Sequence, residues 1–178
     1  MLENWTIGKN SHHSTTPKEQ MAIKLSTGQF EQIGKYGEAA FPNECCGFIL
    51  GKLVDGQKVV TGFLPAANER EDEEQYHRFL ITPEAYRAAD KEARGRGLDV
   101  LGFYHSHPNA EARPSQYDLD HAWPWYSYII VSVKERTAGE LTSWVLNDDR
   151  TKFDGEDILA AIREDLFVPQ SGDASRRL

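Results

Sequence analysis

The chain has 178 residues, of which 39% are hydrophobic and 11% aromatic, and a formal net charge of −8 at pH 7. This length and apolar content are typical of one globular domain and exclude a disordered chain. The acidic balance argues against nucleic acid or anionic membranes as partners, since both call for an excess of lysine and arginine. The two cysteines are neighbours, Cys45 and Cys46, which excludes a disulfide framework and an all-cysteine zinc site.

The ends of the chain differ in composition from its middle. No apolar run approaches the roughly 20 residues that span a bilayer, and the N-terminus has no apolar signal segment, so we expect a cytoplasmic protein. Residues 1–22 are polar and predict a flexible N-terminal arm, residues 23–167 the folded domain, and residues 168–178 a flexible tail.

Apolar spacing and turn residues predict the elements of the first half of the chain. A helix is expected from Ser26 or Thr27 to Pro42. Asp55-Gly56 between two apolar runs is a hairpin signal, so residues 46–53 and 58–64 are expected to form paired strands. An acidic loop is expected at 68–77 and a further strand at 78–81.

The second half predicts more strands and two further helices. Thr82, as N-cap before Pro83, begins a helix that Gly95 and Gly97 end. Strands are expected at 99–104, 126–133 and 141–146, and Asp154 is expected to cap a final helix whose apolar face carries residues 158, 159, 162 and 166. This order predicts a single mixed α/β domain.

Two histidines stand at the end of the strand predicted at 99–104. His105 and His107 are separated by one residue, and residues i and i+2 of a strand point to the same side, so both imidazoles face one point. Two imidazoles and one carboxylate are a typical ligand set of catalytic zinc, with the fourth position left for water. The pair therefore predicts a metal site if a carboxylate joins it.

Ser115-x-x-Asp118 follows the histidines and has two interpretations that are compatible. It is an acidic capping box, with Ser115 as N-cap and Asp118 at the third helical position, and it needs no metal. A capped first turn also fixes the direction of Asp118, as a metal ligand requires. The Ser115 hydroxyl then lies at a helix N-terminus, where donors favour developing negative charge.

The combined pattern resembles the JAMM (MPN-plus) metalloproteases. Their motif is a glutamate, a long gap, His-x-His-Pro and Ser-x-x-Asp, and every position is filled here by Glu44, His105-x-His107-Pro108 and Ser115-x-x-Asp118. The resemblance covers residues 23–150 and extends to the strands around the motif. It implies a curved mixed β-sheet flanked by helices, as in cytidine deaminases.

The resemblance also implies roles for these residues and a substrate class. One Zn²⁺ per chain would be held by His105, His107 and Asp118, with Glu44 as general base and Ser115 stabilising the oxyanion. The compact chain is similar to stand-alone prokaryotic members, so the expected partner is a ubiquitin-like or sulfur-carrier protein, cleaved after its C-terminal Gly-Gly. The extended tail of this partner would pair with a sheet edge in a cleft beside the zinc. The oligomeric state stays open.

Two other functions are weighed against this peptidase. A non-catalytic MPN scaffold is disfavoured because such modules typically lose ligands, and this chain keeps all five positions. A DNA-associated protein of the RadC type shares the metal motif, but the acidic charge argues against it. Trp123 and Trp125 follow the motif closely and could line a substrate groove, with aromatic packing as the simpler interpretation.

Overall fold

The computed structural model describes residues 22–66 and 81–161. The predictions for the arm before Ala22, the acidic loop, the strand at 78–80 and everything after Ala161 lie outside these residues. Seven strands and three helices occupy the described part: β1 Ala22–Leu25, α1 Thr27–Ala40, β2 Cys46–Val54, β3 Gln57–Ala66, α2 Pro83–Gly95, β4 Asp99–Pro108, α3 Gln116–His121, β5 Ser127–Lys134, β6 Thr137–Leu146 and β7 Phe153–Ala160.

The strands form one mixed sheet that closes on itself in the order β1-β3-β2-β4-β5-β6-β7. β2 pairs antiparallel with β3 and with β4, whereas β4 and β5 are parallel. A parallel pair needs a crossover, and the segment that carries α3 supplies it. The predicted single α/β domain with a mixed sheet and a few helices is confirmed.

Local signals account for the first helix and the hairpin. Ser26 and Gln29 form a reciprocal capping box at the start of α1. Gly37 lies where α1 meets the sheet, and a Cβ there would be 2.7 Å from Val133 Cγ2, so glycine permits the close approach. Between β2 and β3, Asp55 and Gly56 have φ of 48° and 78°, the left-handed values of a two-residue hairpin turn.

Two apolar clusters lie on opposite faces of the sheet. The first packs under α1 and includes Ile33, Val60 and Tyr104. The second packs under α2 and α3 and includes Phe48, Ala93 and Phe103. His105 alternates with Tyr104 along β4, so both motif histidines face the side of the second cluster.

The predicted final helix is wrong where the structure describes it. Residues Phe153–Ala160 form β7, which pairs antiparallel with β6 and parallel with β1. The strand's inward side carries Glu156 and Ile158, and Glu156 is buried against Lys58. A charged residue at an inward position hides the two-residue alternation, so the apolar residues matched helical spacing instead.

Membrane-spanning helices are absent from the described part of the chain, where no helix has the length and apolarity to cross a bilayer.

Candidate metal centre

β4 carries both motif histidines to its end. The strand extends to Pro108, beyond the predicted end at residue 104, because it pairs along its whole second half with β5. His105 and His107 are buried, with 1% and 8% of their surfaces exposed. Their Nε2 atoms are 3.0 Å apart, so the strand brings the two imidazoles to one point as its two-residue period predicts.

The loop after β4 fixes the ring of His107. Its Nδ1–H donates to the carbonyl oxygen of Glu111 at 2.8 Å, which leaves Nε2 as the atom with a free lone pair. Ser132 Oγ–H donates to the carbonyl of Ala110 at 2.5 Å, and Thr142 Oγ1–H donates to that of Ala112. Neither contact is visible in the sequence, because both hydroxyls come from later strands.

Asp118 is held at the first turn of α3 by the predicted capping box. The backbone N–H and the hydroxyl of Ser115 both donate to Asp118 Oδ2, at 2.6 and 2.7 Å. The carboxylate reaches the histidines, with Oδ1 3.4 Å from His105 Nε2 and Oδ2 3.9 Å from His107 Nε2. The capping-box interpretation of Ser115-x-x-Asp118 is confirmed, and the cap orients the carboxylate toward the histidines, as a metal ligand would require.

The three side chains fit a small tetrahedral cation. All their donor atoms lie within 4.8 Å of one another, and all three residues are buried. A tetrahedral zinc with nitrogen and oxygen ligands at about 2.0–2.1 Å has ligand–ligand separations of roughly 3.3 Å. The distances of 3.0 Å between the two Nε2 atoms and 3.4 Å between His105 Nε2 and Asp118 Oδ1 are close to this value, whereas His107 Nε2 is 3.9 Å from the other carboxylate oxygen. A donor set of two imidazoles and one carboxylate is also the type that zinc accepts in catalytic sites.

The protonation states suit a cation as well. Burial lowers the pKa of His105 to about 4, so its imidazole is neutral at pH 7, as a metal ligand must be. Burial alone would raise the pKa of Asp118, but His105 and the hydrogen bonds from Ser115 keep it below its usual value. Asp118 is therefore an anion at neutral pH.

Glu44 reaches this region through the pairing of β2 with β4. Cys46 lies opposite His105, and the register continues by one residue through two hydrogen bonds: Cys45 N–H donates to Ser106 Oγ at 2.9 Å, and Ser106 N–H donates to the Cys45 carbonyl at 3.1 Å. Glu44 is the next residue before Cys45, and it is buried. Burial and then the charge of Asp118 raise the pKa of Glu44 to about 8.

The other sequence candidates lie outside the donor set. His121 is exposed and stacks on Tyr117, with 4.0 Å between the ring centroids. Burial raises the pKa of Cys45 to about 11 and that of Cys46 to about 12, which argues against a thiolate nucleophile beside Glu44. Trp123 and Trp125 remain 61% and 41% exposed, so neither side chain is packed in the core.

Comparison with known proteins assigns the chain to a protein family. Residues 26–147 match the Prok-JAB model, which describes prokaryotic homologues of the JAB domain. The chain belongs to this family. The resemblance to JAMM/MPN proteins of the stand-alone prokaryotic type is thereby confirmed.

Three proteins of known sequence or structure are similar to this chain. A desampylase of Haloferax volcanii is 35% identical over 103 residues, which cover 57% of this chain and 71% of that protein. A solution structure of a Salinibacter ruber protein has a TM-score of 0.63 at 41% identity, covering 81% of this chain and 94% of that one. Another, from Desulfitobacterium hafniense, has a TM-score of 0.68 at 30% identity, covering 78% and 92%.

Proposed function

We propose that this chain is a zinc-dependent peptidase or isopeptidase that hydrolyses the bond after the C-terminal glycine of a ubiquitin-like or sulfur-carrier protein. The observation that carries the proposal is the buried cluster of His105, His107 and Asp118, whose donor atoms have the spacing of a tetrahedral zinc site. The desampylase relative supports the substrate class, since it points to an isopeptidase that acts on a ubiquitin-like protein.

His105, His107 and Asp118 would hold one zinc ion per chain. The ion would supply Lewis acidity toward the scissile carbonyl and toward water. The chain's own contribution is to hold the ligands before the metal arrives: Glu111 fixes the tautomer of His107, and Ser115 fixes the direction of Asp118. Such outer contacts typically contribute about 10–100-fold in metal affinity.

Glu44 is the proposed proton carrier. It is not one of the three residues of the donor set. It is buried, and the negative charge of Asp118 contributes to raising its pKa. A general base works best when its pKa is near the operating pH, and the pKa of about 8 meets this condition. Its carboxylate would take a proton from the attacking water and deliver it to the leaving amine.

Ser115 is the proposed oxyanion donor, and the structure gives it a second task. Its hydroxyl donates to Asp118 Oδ2 at 2.7 Å, so in the resting protein it orients the carboxylate. To stabilise a negatively charged oxygen, the hydroxyl would turn away from Asp118, whose Oδ2 would keep the backbone N–H of Ser115 at 2.6 Å.

The sheet offers an edge for an extended substrate tail. β1 pairs with β3 only at Lys58 and Val59, so within the described residues 60–66 pair with β2 alone. Pro65 in this stretch is typical of an edge. Its last residue, Ala66, is level with Cys46 and His105, two strand spacings or about 10 Å away. A tail that pairs here would have to continue past the end of β2 to reach the metal, and a Gly-Gly end supplies small residues for that passage.

A panel of carrier proteins tests the proposal. Purified protein with one zinc per chain by elemental analysis is incubated with a sulfur carrier extended beyond its Gly-Gly, and with linked ubiquitin chains. We expect the trimmed carrier by mass spectrometry, and no product from the Glu44→Gln variant, which should keep its zinc. Cleavage by metal-free protein would refute the zinc mechanism. Cleavage of ubiquitin chains alone would refute the sulfur-carrier assignment, and carrier binding without cleavage would favour the scaffold.

A further inference from the structure

Lys58 is a fully buried basic residue in β3 and is not one of the three residues of the proposed metal centre. Through Ser127, which lies opposite Gly102 in β4, Lys58 reaches a point three residues before His105 along that strand. Its Nζ–H groups donate to the Ser127 hydroxyl at 2.9 Å and to the backbone carbonyl of Trp125, and Glu156 Oε1 is 3.7 Å away. Burying a charge is costly, so this position calls for an explanation beyond packing.

The ion pair with Glu156 accounts for only part of the polar surroundings of Lys58. Ser143 donates to Glu156 Oε2 at 2.6 Å, so the carboxylate has a partner besides the lysine. Lys58 also makes two contacts with Trp125. Its ammonium group donates to the Trp125 carbonyl and lies 4.8 Å from the centre of the Trp125 ring.

Trp125 has an unusual backbone conformation. Its φ is +78°, a left-handed value that a bulky residue adopts only when surrounding contacts hold it. Lys58 supplies two such contacts, to the carbonyl and to the ring. The conformation of this residue sets the course of the backbone between Trp123, two residues before it, and Tyr126, the residue after it.

Trp123 and Tyr126 form one wall of a largely apolar cleft of about 520 Å³. Phe103 contributes to the cleft and touches Tyr126, with ring centroids 5.3 Å apart. Since Phe103 is two residues before His105 on the same face of β4, the cleft and the metal centre share one strand as their floor. Outside the wall, Arg150 donates to the Ala122 carbonyl and stacks over Trp123.

We propose that Lys58 is a positioning residue. Its buried ammonium holds Trp125 in the left-handed conformation and thereby fixes the wall of the cleft beside the metal centre. The link to turnover rests on the proposed function, because the wall affects catalysis only if the flank of a carrier passes through the cleft. The effect of Lys58 on the conformation of the wall does not depend on any enzymatic activity.

Two variants separate positioning from stability. Lys58→Met/Glu156→Leu removes both charges, which keeps the core neutral and preserves stability, but it removes the anchor of Trp125. Glu156→Gln breaks the ion pair and lowers the melting temperature, yet leaves Lys58 to hold the Trp125 carbonyl. Lys52→Met is the matched control, since Lys52 pairs with Asp99 at the surface of the adjacent strand.

The first readout is the ¹H–¹⁵N NMR spectrum of the metal-free proteins. We expect signals of residues 122–127 to shift and broaden in the double variant and to stay in place in Glu156→Gln and Lys52→Met. Unchanged signals in the double variant would overturn the proposal. If that variant does not fold, Lys58→Met/Glu156→Gln, whose amide still accepts from Ser143, replaces it with the same expectations.

The second readout is turnover of the carrier by the zinc-loaded proteins. We expect KM to rise about tenfold in the double variant, the equivalent of one lost wall contact, with kcat within about twofold of the parent. Parental KM in a double variant whose wall signals have moved would overturn the link to substrate binding. Absence of turnover in the parent protein would refute the proposed function alone, and the NMR result would still decide the role of Lys58.

Discussion

Replacement of Ser115 by alanine separates two tasks that one hydroxyl performs. The hydroxyl accepts from Asp118 N–H at 3.2 Å as the cap of α3, and it donates to Asp118 Oδ2 at 2.7 Å. Ser115→Ala removes both contacts and keeps the backbone N–H that binds the same oxygen at 2.6 Å. The carboxylate thus stays at its place on the helix but loses one of the two donors that fix its direction.

The structure allows the magnitude to be estimated. Loss of an N-cap side chain costs about 1 kcal/mol of unfolding free energy. A hydrogen bond to a charged group contributes roughly 1.5–3 kcal/mol, and loss of a contact that orients a metal ligand lowers affinity about 10–100-fold. We therefore expect Ser115→Ala to lose about 1–3 kcal/mol of stability without metal and to bind zinc about 10–100-fold more weakly.

Ser26→Ala is the matched control, because Ser26 caps α1 with the same reciprocal box and contacts none of the three proposed ligands. It should lose a similar cap contribution and keep its zinc affinity. Urea unfolding of the metal-free proteins gives the stability, and competition with a chromophoric chelator gives the affinity. Zinc affinity of Ser115→Ala within twofold of the parent, or an equal loss in Ser26→Ala, would refute the reasoning.

Three further outcomes are expected. Gly37→Ala should destabilise the protein by about 1–3 kcal/mol in urea unfolding, because the new Cβ meets Val133 Cγ2 at 2.7 Å. Gly28→Ala is the control in the same helix: its Cβ meets nothing within 4 Å, so this change should be neutral or stabilising. Equal effects of the two substitutions on the free energy of unfolding would contradict this. Cys45 should be alkylated by iodoacetamide at pH 8 about 100-fold more slowly than an ordinary thiol, because burial raises its pKa from 9.0 to about 11. The alkylation rate should increase as the pH rises toward that value. Fast labelling of Cys45 at pH 8, measured by mass spectrometry, would disprove this expectation. Zinc at about 100 times its dissociation constant should stabilise the parent by about 2.7 kcal/mol and raise its melting temperature, and chelation should reverse this; an equal shift in Asp118→Asn would exclude Asp118 as a ligand.

Features set by local geometry were accessible from the sequence. The positions of His105 and His107 on one side of a strand follow from its two-residue period, and the cap of α3 follows from a spacing of three residues. The Asp55-Gly56 turn needs left-handed backbone at both positions, which this dipeptide adopts readily. Each of these signals involves neighbours in the chain and survives without knowledge of the rest of the fold.

The final strand shows where such signals fail. The apolar residues from Ile158 onward matched a helix, but Phe153–Ala160 pair with β6 and β1. The inward Glu156 is tolerated because Lys58, about a hundred residues earlier, lies against it. Long-range partners override local preference, and a single sequence does not reveal them.

By itself, the sequence determined a candidate set of metal ligands, two histidines and a capped aspartate, because strand period and helix capping act over two or three residues. Only the tertiary structure decided that Glu44 is buried within the electrostatic reach of Asp118, since that depends on the contact of Cys45 with Ser106, 61 residues later in the chain. The tautomer of His107 and the buried Lys58 beneath Trp125 were likewise decided by the fold. Hydrogen bonds to a carbonyl and the burial of a charge depend on which distant segments meet, and that is a property of the folded chain.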